Sequence, residues 1–152
     1  MFTKILVCLD GSKLSEQILQ FASEEALSSD KEVVLLRVVP LMHSTTIAVP
    51  GVISSIPPSP PAPKQLAAEE AEATAYLDAR AASLKKIGIK TECVVLVGNA
   101  GESIVDYAHQ NKIDLIAIAT HGRSGLKRIL FGSVTEYVIR NSKLPILLIK
   151  PK

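Results

Sequence analysis

The chain has 152 residues, of which 47% are hydrophobic and 21% are charged. This length suits one domain of ordinary size, and the composition is too apolar for an intrinsically disordered chain. The 17 basic and 15 acidic residues give a net charge of +2. Because the basic residues are dispersed, charge provides no basis for a nucleic-acid surface. We therefore expect a single domain over 1–152 without a nucleic-acid partner.

The first apolar run, Ile5 to Leu9, is short and ends at Asp10-Gly11. It is shorter than the apolar core of a signal peptide, and no later run approaches the ~18 apolar residues of a membrane span. We therefore expect a cytoplasmic protein that does not associate with membranes. Cys8 and Cys93 lack the spacing of metal ligands and lie in apolar runs, which predicts buried, reduced thiols.

Short segments rich in Val, Ile and Leu predict five β-strands. Most are apolar without strict alternation, which is typical of parallel strands covered on both faces. The predicted strands are Lys4 to Leu9, Val33 to Val39, Thr91 to Val97, Asp114 to Ala119 and Pro145 to Lys150.

Helical patterns alternate with these strands. Two apolar stripes with helical spacing are Leu14, Ile18, Phe21 and Ala22, and Leu66, Ala73, Leu77 and Leu84. Asn99 and Glu102 resemble a capping pair that opens a third helix, and a fourth helix is predicted to start at Ser133. This order predicts an α/β fold: a Rossmann-like doubly wound sheet of five mostly parallel strands with four helices. Ligands of such sheets bind beyond the carboxyl ends of the strands, where strand order reverses.

The segment 41–63 interrupts this order because it contains six prolines. Its composition excludes a helix and predicts a flexible surface loop. The alternative interpretation is a lid or a partner-docking arm at the end of the second strand. In that strand, Arg37 is predicted to lie towards the solvent end and not to face the crevice.

The segment after the fourth predicted strand combines features that suit phosphate binding. It reads Ala119-Thr-His-Gly122-Arg-Ser-Gly125, and ten residues after Gly122 comes Gly132-Ser-Val-Thr-Glu136. Glycines let a backbone turn and approach a ligand closely. The alternative is that these glycines are only turn residues.

Ser133 and Glu136 form a capping-box pattern, which predicts a helix that begins with Ser133 as its cap. The positive N-terminus of such a helix suits an anion. Hydroxyls of Ser133 and Thr135 would add hydrogen bonds to phosphate, and Arg123 would add charge. His121 has no evident acid or nucleophile partner, so hydrogen bonding or packing is a better interpretation than general-base catalysis.

This segment resembles the motif of the universal stress protein family, Gly-x2-Gly-x9-Gly-(Ser/Thr), which ATP-binding members carry before their last helix. Here it reads Ala119-x2-Gly122-x9-Gly132-Ser133, with alanine in place of the first glycine. The opening strand with Asp10 and the closing Leu144-Pro-Ile-Leu-Leu-Ile-Lys150 also resemble the family. The resemblance therefore extends over nearly the whole chain.

The resemblance implies an adenine nucleotide, ATP with or without Mg²⁺, as the cofactor, and a homodimer that pairs through Pro145 to Lys150. It places Asp10 near the ribose, Val38 at the adenine, and the motif around the phosphates. If the first glycine of the motif is needed for a positive φ, Ala119 strains the backbone; if only small size matters, alanine suffices. The implied binding residues are Leu9, Asp10, Val38, Ile118, Ala119, His121, Gly122, Arg123, Gly132, Ser133, Val134 and Thr135.

Three functions follow from these features. The first is an ATP-binding regulatory or stress-response protein that is not an enzyme. The second is a slow ATPase, although the chain has no Gly-x4-Gly-Lys-(Ser/Thr) motif. The third is a dimerisation or interaction module that has lost nucleotide binding.

Overall fold

The computed structural model describes residues 2–28, 30–120 and 132–150, with 44–49 and 52–55 described by their backbone alone. The strands are β1 (Lys4–Cys8), β2 (Glu32–Pro40), β3 (His43–Val49), β4 (Val52–Ser59), β5 (Lys90–Gly98), β6 (Leu115–Ala119) and β7 (Ile146–Ile149). The helices are α1 (Lys13–Leu27), α2 (Pro63–Lys86), α3 (Ala100–Gln110) and α4 (Ser133–Asn141).

Five strands form one sheet in the order β5-β2-β1-β6-β7, and every neighbouring pair is parallel. From β1 the chain builds outwards through β2 to β5, and then crosses to β6 and β7 on the other side. Strand order therefore reverses between β1 and β6. This architecture confirms the predicted Rossmann-like fold with five parallel strands and four helices.

Side chains that alternate along the strands form one apolar cluster on each face of the sheet. On one face, α1 and α2 cover Ile5, Val7, Val33, Leu35 and Ala117. On the other, α3 and α4 cover Leu6, Val34, Leu36, Ile116 and Ile118. Because both faces are covered, the strands are apolar at nearly every position.

The helix starts agree in part with the sequence. Ser12 caps α1 by accepting a hydrogen bond from the backbone N–H of Ser15. Asn99 caps α3 by accepting one from the N–H of Glu102, 3.3 Å away, which confirms the predicted cap. Pro63 is the first residue of α2, a position where its missing N–H costs nothing. None of the helices in the described ranges has both the length and the hydropathy that a membrane span requires.

The loop predicted over 41–63 is instead mostly a hairpin. Strands β3 and β4 pair antiparallel in a separate two-stranded sheet. The prediction gave the prolines too much weight, because Val, Ile and Thr favour strands on both sides of Pro50-Gly51, and Gly51 has the positive φ of 89° that the turn uses. A two-stranded sheet also tolerates proline, since each strand has a free edge. The flexibility and the lid or docking role of this segment stay predictions.

Gly101 allows α3 and α4 to approach each other closely beside the sheet. A Cβ atom at this position would lie 2.9 Å from Cγ and Cδ1 of Tyr137 and 3.0 Å from its Cβ. Such distances are too short for carbon atoms, so a side chain at residue 101 would push the two helices apart. Both helices contribute side chains to the crevice described below.

We expect Gly101→Ala to destabilise the fold by about 1–3 kcal/mol, the usual cost of overpacking. Helix propensity alone predicts the opposite sign, because alanine is favoured over glycine by up to about 1 kcal/mol. Urea unfolding monitored by circular dichroism measures the difference. In a Tyr137→Ala background, which removes the two ring carbons, the penalty should shrink. An equal penalty in both backgrounds would contradict the proposed contact.

Candidate functional site

The sheet opens into a crevice where β1 is shorter than its neighbours. Strand β1 ends at Cys8, which is paired with Leu36, whereas β2 continues to Pro40 beside β5. On the other side β6 continues to Ala119 beside β7. Side chains of the longer strands therefore extend beyond the end of β1, at the point where strand order reverses. This is the position at which doubly wound sheets bind ligands.

The crevice contains a cavity of about 130 Å³. Most of its lining residues are apolar, and those with polar side chains are Cys8, Asp10, Ser15 and Thr135. The lining residues are Cys8, Leu9, Asp10, Ser15, Leu36, Val38, Ala100, Ile104, Ile118, Ala119, Val134 and Thr135.

The structure brings together much of the predicted site. The predicted residues that line the cavity are Leu9, Asp10, Val38, Ile118, Ala119, Val134 and Thr135. Gly132 and Ser133 lie at the start of α4, directly before two of these lining residues. His121, Gly122 and Arg123 lie outside the described residues. The binding role of every one of these residues stays a prediction.

Sequence reasoning missed Cys8, Ser15, Leu36, Ala100 and Ile104. A signal existed for Leu36, because alternate residues of a strand share a face and Val38 was already placed in the site. Ala100 and Ile104 lie on α3, which crosses the sheet from the edge strand β5 to β6. Its first turns therefore lie at the carboxyl end of the sheet, a position that follows from the strand order and not from a local sequence pattern.

The structure places Asp10 both in a turn and beside the cavity, and its contact with a ribose hydroxyl stays a prediction. Its Oδ1 accepts a hydrogen bond from the N–H of Ser12 at 2.9 Å, so the carboxylate forms a turn ahead of α1. It also lines the cavity. The loop is further held by buried Ser15, whose hydroxyl donates to the Ser12 carbonyl at 2.9 Å and lies 3.4 Å from the Asp10 backbone nitrogen. The turn therefore fixes the carboxylate in the crevice wall.

Ala119 sits in β6 without backbone strain. The non-glycine residues with positive φ in the described ranges are Asp30, Lys112 and Lys143, so Ala119 has an ordinary conformation. Its side chain is only 6% exposed and contributes to the cavity lining. The hypothesis that this position requires a positive φ is therefore wrong for this chain. That only small size matters at this position stays a prediction.

The start of α4 corrects the predicted capping box. Gly132, not Ser133, is the N-cap residue, and the helix begins without a side-chain cap. An N-cap residue has an extended backbone, and here that residue is Gly132. Ser133 is already the first residue of the helix, so it cannot be the cap. Glu136 instead pairs with Arg140 one turn later, at 2.7 Å. Gly132 has φ −58° and ψ 159°, which any residue can adopt, so its lack of a side chain is its distinctive property.

The two thiols differ in their surroundings. Both cysteines are free, and Cys8 is buried as predicted. Cys93 is only half-buried because it lies on the edge strand β5, so that part of the prediction is wrong. Burial raises the pKa of the Cys8 thiol to about 12. Burial, together with the nearby Asp78 carboxylate, also raises the pKa of Cys93.

The fold is that of an α/β domain with a crevice at the carboxyl end of its sheet. The sequence model of the universal stress protein family matches residues 1–150. The chain belongs to the universal stress protein family.

Individual relatives agree with this assignment. Universal stress protein MJ0577 of Methanocaldococcus jannaschii is 31% identical over 159 residues, which cover 100% of this chain and 97% of that protein. Universal stress protein Slr1230 of Synechocystis is 32% identical over 145 residues, but this chain, matched over 95% of its length, spans only 42% of that relative. The chain therefore corresponds to less than half of one relative and to nearly all of another.

Solved structures show the same fold. A structure of MJ0577 superposes with a TM-score of 0.74 at 28% identity, over 100% of this chain and 98% of the other. The universal stress protein UspA from Lactobacillus plantarum superposes with a TM-score of 0.76 at 23% identity, with 97% of each chain covered.

We expect Cys8 to react far more slowly than Cys93 with N-ethylmaleimide at pH 8. A thiol with a pKa of about 12 has roughly one molecule in ten thousand ionised at that pH, and the thiolate is the reacting form. Mass spectrometry of the Cys8→Ser and Cys93→Ser variants measures the two rates separately. Both thiols should react alike in denaturant. Equal rates in the native protein would contradict the buried position of Cys8.

Proposed function

We propose that this chain is an ATP-binding universal stress protein whose nucleotide occupancy regulates its action in a cytoplasmic stress response. The observation that carries this proposal is the crevice beyond the end of β1. It combines an apolar cavity, a carboxylate held by a turn, and the start of α4. These three features match the three parts of a nucleoside triphosphate.

The apolar cavity suits the nucleoside. Leu36, Val38 and Ile104 offer surfaces against which a purine base can pack, and Asp10 offers an acceptor for a ribose hydroxyl. At about 130 Å³ the cavity is smaller than the roughly 300–1,000 Å³ typical of small-molecule sites. It therefore has room for only part of a nucleotide. In this proposal the phosphates lie outside the cavity.

The start of α4 suits the phosphates. A helix N-terminus presents backbone N–H donors and the positive end of the helix dipole. The hydroxyl of Ser133, which is exposed at this end, and that of Thr135 can donate further hydrogen bonds. We assign His121, Gly122 and Arg123 to the same half by their place in the family motif.

Adenine nucleotides are known ligands of this fold in other proteins. One solved universal stress protein, 23% identical with a TM-score of 0.66, is described as a complex with cAMP. An Arabidopsis thaliana member of the family, 16% identical with a TM-score of 0.65, is described with AMP bound. At these identities the similarities establish only the fold of this chain. The bound cAMP and AMP support adenine nucleotides as the proposed class of ligand, without selecting one nucleotide.

The role proposed is regulatory and not enzymatic. Within residues 2–28, 30–120 and 132–150 there is no group of three or more His, Cys, Asp and Glu side chains that could hold a metal ion. In this proposal Mg²⁺, if it accompanies ATP, is bound by phosphate oxygens, the usual arrangement for this ion. Slow hydrolysis by a positioned water is the alternative, and a turnover above about 1 per second would favour it.

We expect calorimetric titration to detect ATP binding to the wild type and to lose it in Gly132→Asp. A carboxylate near the phosphates costs roughly 1–4 kcal/mol, depending on solvent exposure. Gly132→Ala is the matched control, because residue 132 has a φ and ψ that alanine adopts without strain. Titrations with AMP, cAMP and ATP, each with and without Mg²⁺, identify the preferred nucleotide. A wild type that binds none of them would instead favour an interaction module.

We also propose a homodimer that pairs through β7. This strand lies at the edge of the sheet and carries half-buried apolar side chains, an arrangement that invites pairing with another strand. The carbonyl of Pro145 accepts a hydrogen bond from Ile116 of β6, and that of Ile149 accepts one from Thr120, directly after β6. Because alternate residues of a strand point to opposite edges, the N–H groups of Ile146 and Leu148 point away from β6.

We expect Leu148→Pro to be monomeric, because proline removes an outward N–H while leaving the ladder to β6 in place. Leu148→Ala is the matched control, since it loses the same side chain but keeps the N–H and should remain dimeric. Analytical ultracentrifugation measures the masses. A monomeric wild type, or a dimeric proline variant, would contradict pairing through β7.

A further inference from the structure

A cluster of charged and aromatic side chains lies on the opposite side of the Asp10-Gly11 loop from the crevice. It consists of Arg37 on β2, Tyr76 and Arg80 on α2, and Glu16 on α1. Leu36 and Val38 face the crevice, and the intervening Arg37 points to the other face of the sheet. Arg37 does not face the cavity, in agreement with the sequence analysis. It packs against other residues and does not simply lie at the solvent end of its strand, so that part of the prediction is wrong.

The guanidinium of Arg37 packs face-on against Gly11. A Cβ atom at Gly11 would lie 3.2 Å from one terminal nitrogen of Arg37 and 3.3 Å from both the other terminal nitrogen and Cζ. Near-equal distances to these three atoms mean that the flat face of the group is turned towards the glycine. Gly11 has a φ of +88°, which L side chains rarely adopt, and a Cβ atom here would also press on the guanidinium of Arg37.

The other members of the cluster hold Arg37 in this position. The Cζ atom of Arg37 lies 5.1 Å from the centre of the Tyr76 ring, and Arg80 lies at the same distance from that ring. The Tyr76 hydroxyl donates to Glu16 Oε1 at 2.9 Å, and Arg80 donates to the same oxygen from Nε and a terminal nitrogen at 3.2 and 2.8 Å. The ring is therefore anchored to α1 and α2 together.

The ionisation of the cluster is stable near neutral pH. The hydrogen bond from Tyr76 lowers the pKa of Glu16, and the bonds and charge of Arg80 lower it further against the cost of burial. Burial and the bond to Glu16 raise the pKa of Tyr76, so its hydroxyl keeps the proton that it donates. The anchoring bonds thus persist across the pH range in which a nucleotide would bind.

We propose that Arg37 is a positioning residue for the nucleoside half of the site. Its guanidinium, held by Tyr76, supports Gly11 from behind and so fixes the adjacent Asp10 carboxylate at the distance a ribose hydroxyl requires. This inference rests on the proposed function, because it concerns how the same site recognises its ligand. Arg37 itself touches no part of the nucleotide.

The test uses the ribose hydroxyls as the readout. We expect the wild type to bind ATP about tenfold more tightly than at least one of 2′-deoxyATP and 3′-deoxyATP, the effect of one hydrogen bond to a charged acceptor. Arg37→Met keeps the length of the side chain but removes the guanidinium. In this variant the ratio of the affinity for ATP to that for the deoxynucleotide should fall close to one. The ratio of ATP to AMP affinity reports the phosphate half and should not change.

The coupling between Arg37 and Asp10 is measured by a double-mutant cycle. Asp10→Ala should abolish the preference for ATP over the deoxynucleotide, and adding Arg37→Met should change it no further. Arg37→Lys separates charge from shape, because lysine keeps the charge but lacks a flat group; it should behave like Arg37→Met. Lys90→Met, at the opposite end of the sheet, controls for the loss of a positive charge and should bind as the wild type does.

The outcomes are distinguishable. A wild type that binds no nucleotide overturns the proposed function, and with it this inference. A wild type that prefers ATP to the deoxynucleotides, combined with an Arg37→Met variant that keeps that preference, overturns the role of Arg37 alone. Equal binding of ATP and both deoxynucleotides by the wild type, or equal weakening of all ligands in Arg37→Met, also overturns it. If Arg37→Met fails to fold, Tyr76→Leu removes the support of Arg37 and should show the same loss of preference.

Discussion

The central strand β1 is the constraint on which the rest of the structure depends. It is hydrogen bonded on both edges, and Ile5, Leu6 and Val7 are completely buried because helices cover both faces. Such a strand has no exposed side chain with which to act. At its carboxyl end the chain leaves the sheet at Leu9 and turns at Gly11, which has a positive φ. Doubly wound sheets bind their ligands beyond this end of the strands, and the proposed nucleotide site lies there.

The early end of β1 also explains why the crevice has two dissimilar sides. Residues such as Val38, on the longer strand β2, remain in the sheet and present apolar side chains. Residues such as Asp10, after β1, have left the sheet and present polar groups. The start of α4 then adds backbone donors. An apolar wall, an acceptor and a set of donors thus meet at one place because the strands end at different heights.

Much of this was predictable from the sequence because it depends on periodicity. Continuous apolar runs predicted a parallel sheet, and the helical stripes predicted that α1 and α2 exist, although Phe21 of the α1 stripe is 49% exposed. Local chemistry was less reliable. The Ser133-Glu136 pattern predicted a cap one residue too late, since backbone conformation decides which residue caps a helix. The prolines of 41–63 led to the prediction of a loop, whereas the β-branched residues of this segment form a hairpin.

The contacts that sequence reasoning could not reach are those made across the sheet. Ala100 and Ile104 enter the crevice because α3 crosses from one edge of the sheet towards the other, and no local pattern encodes that path. Arg37 is the clearer case. In the sequence it is an isolated charged residue in an apolar run, and the simplest interpretation is that it lies at the solvent-exposed end of its strand.

The fold gives Arg37 a different meaning because it places three elements around one loop. Strand β2 supplies the guanidinium, α2 supplies the Tyr76 ring that holds it, and α1 supplies the Glu16 carboxylate that holds the ring. Each contact is modest alone, since a cation–π contact at an exposed site contributes about 0.5–1 kcal/mol. In the proposed role, together they support the glycine turn from the side opposite the crevice. The Asp10 carboxylate thus owes its position to residues on the far side of the sheet as much as to its own turn.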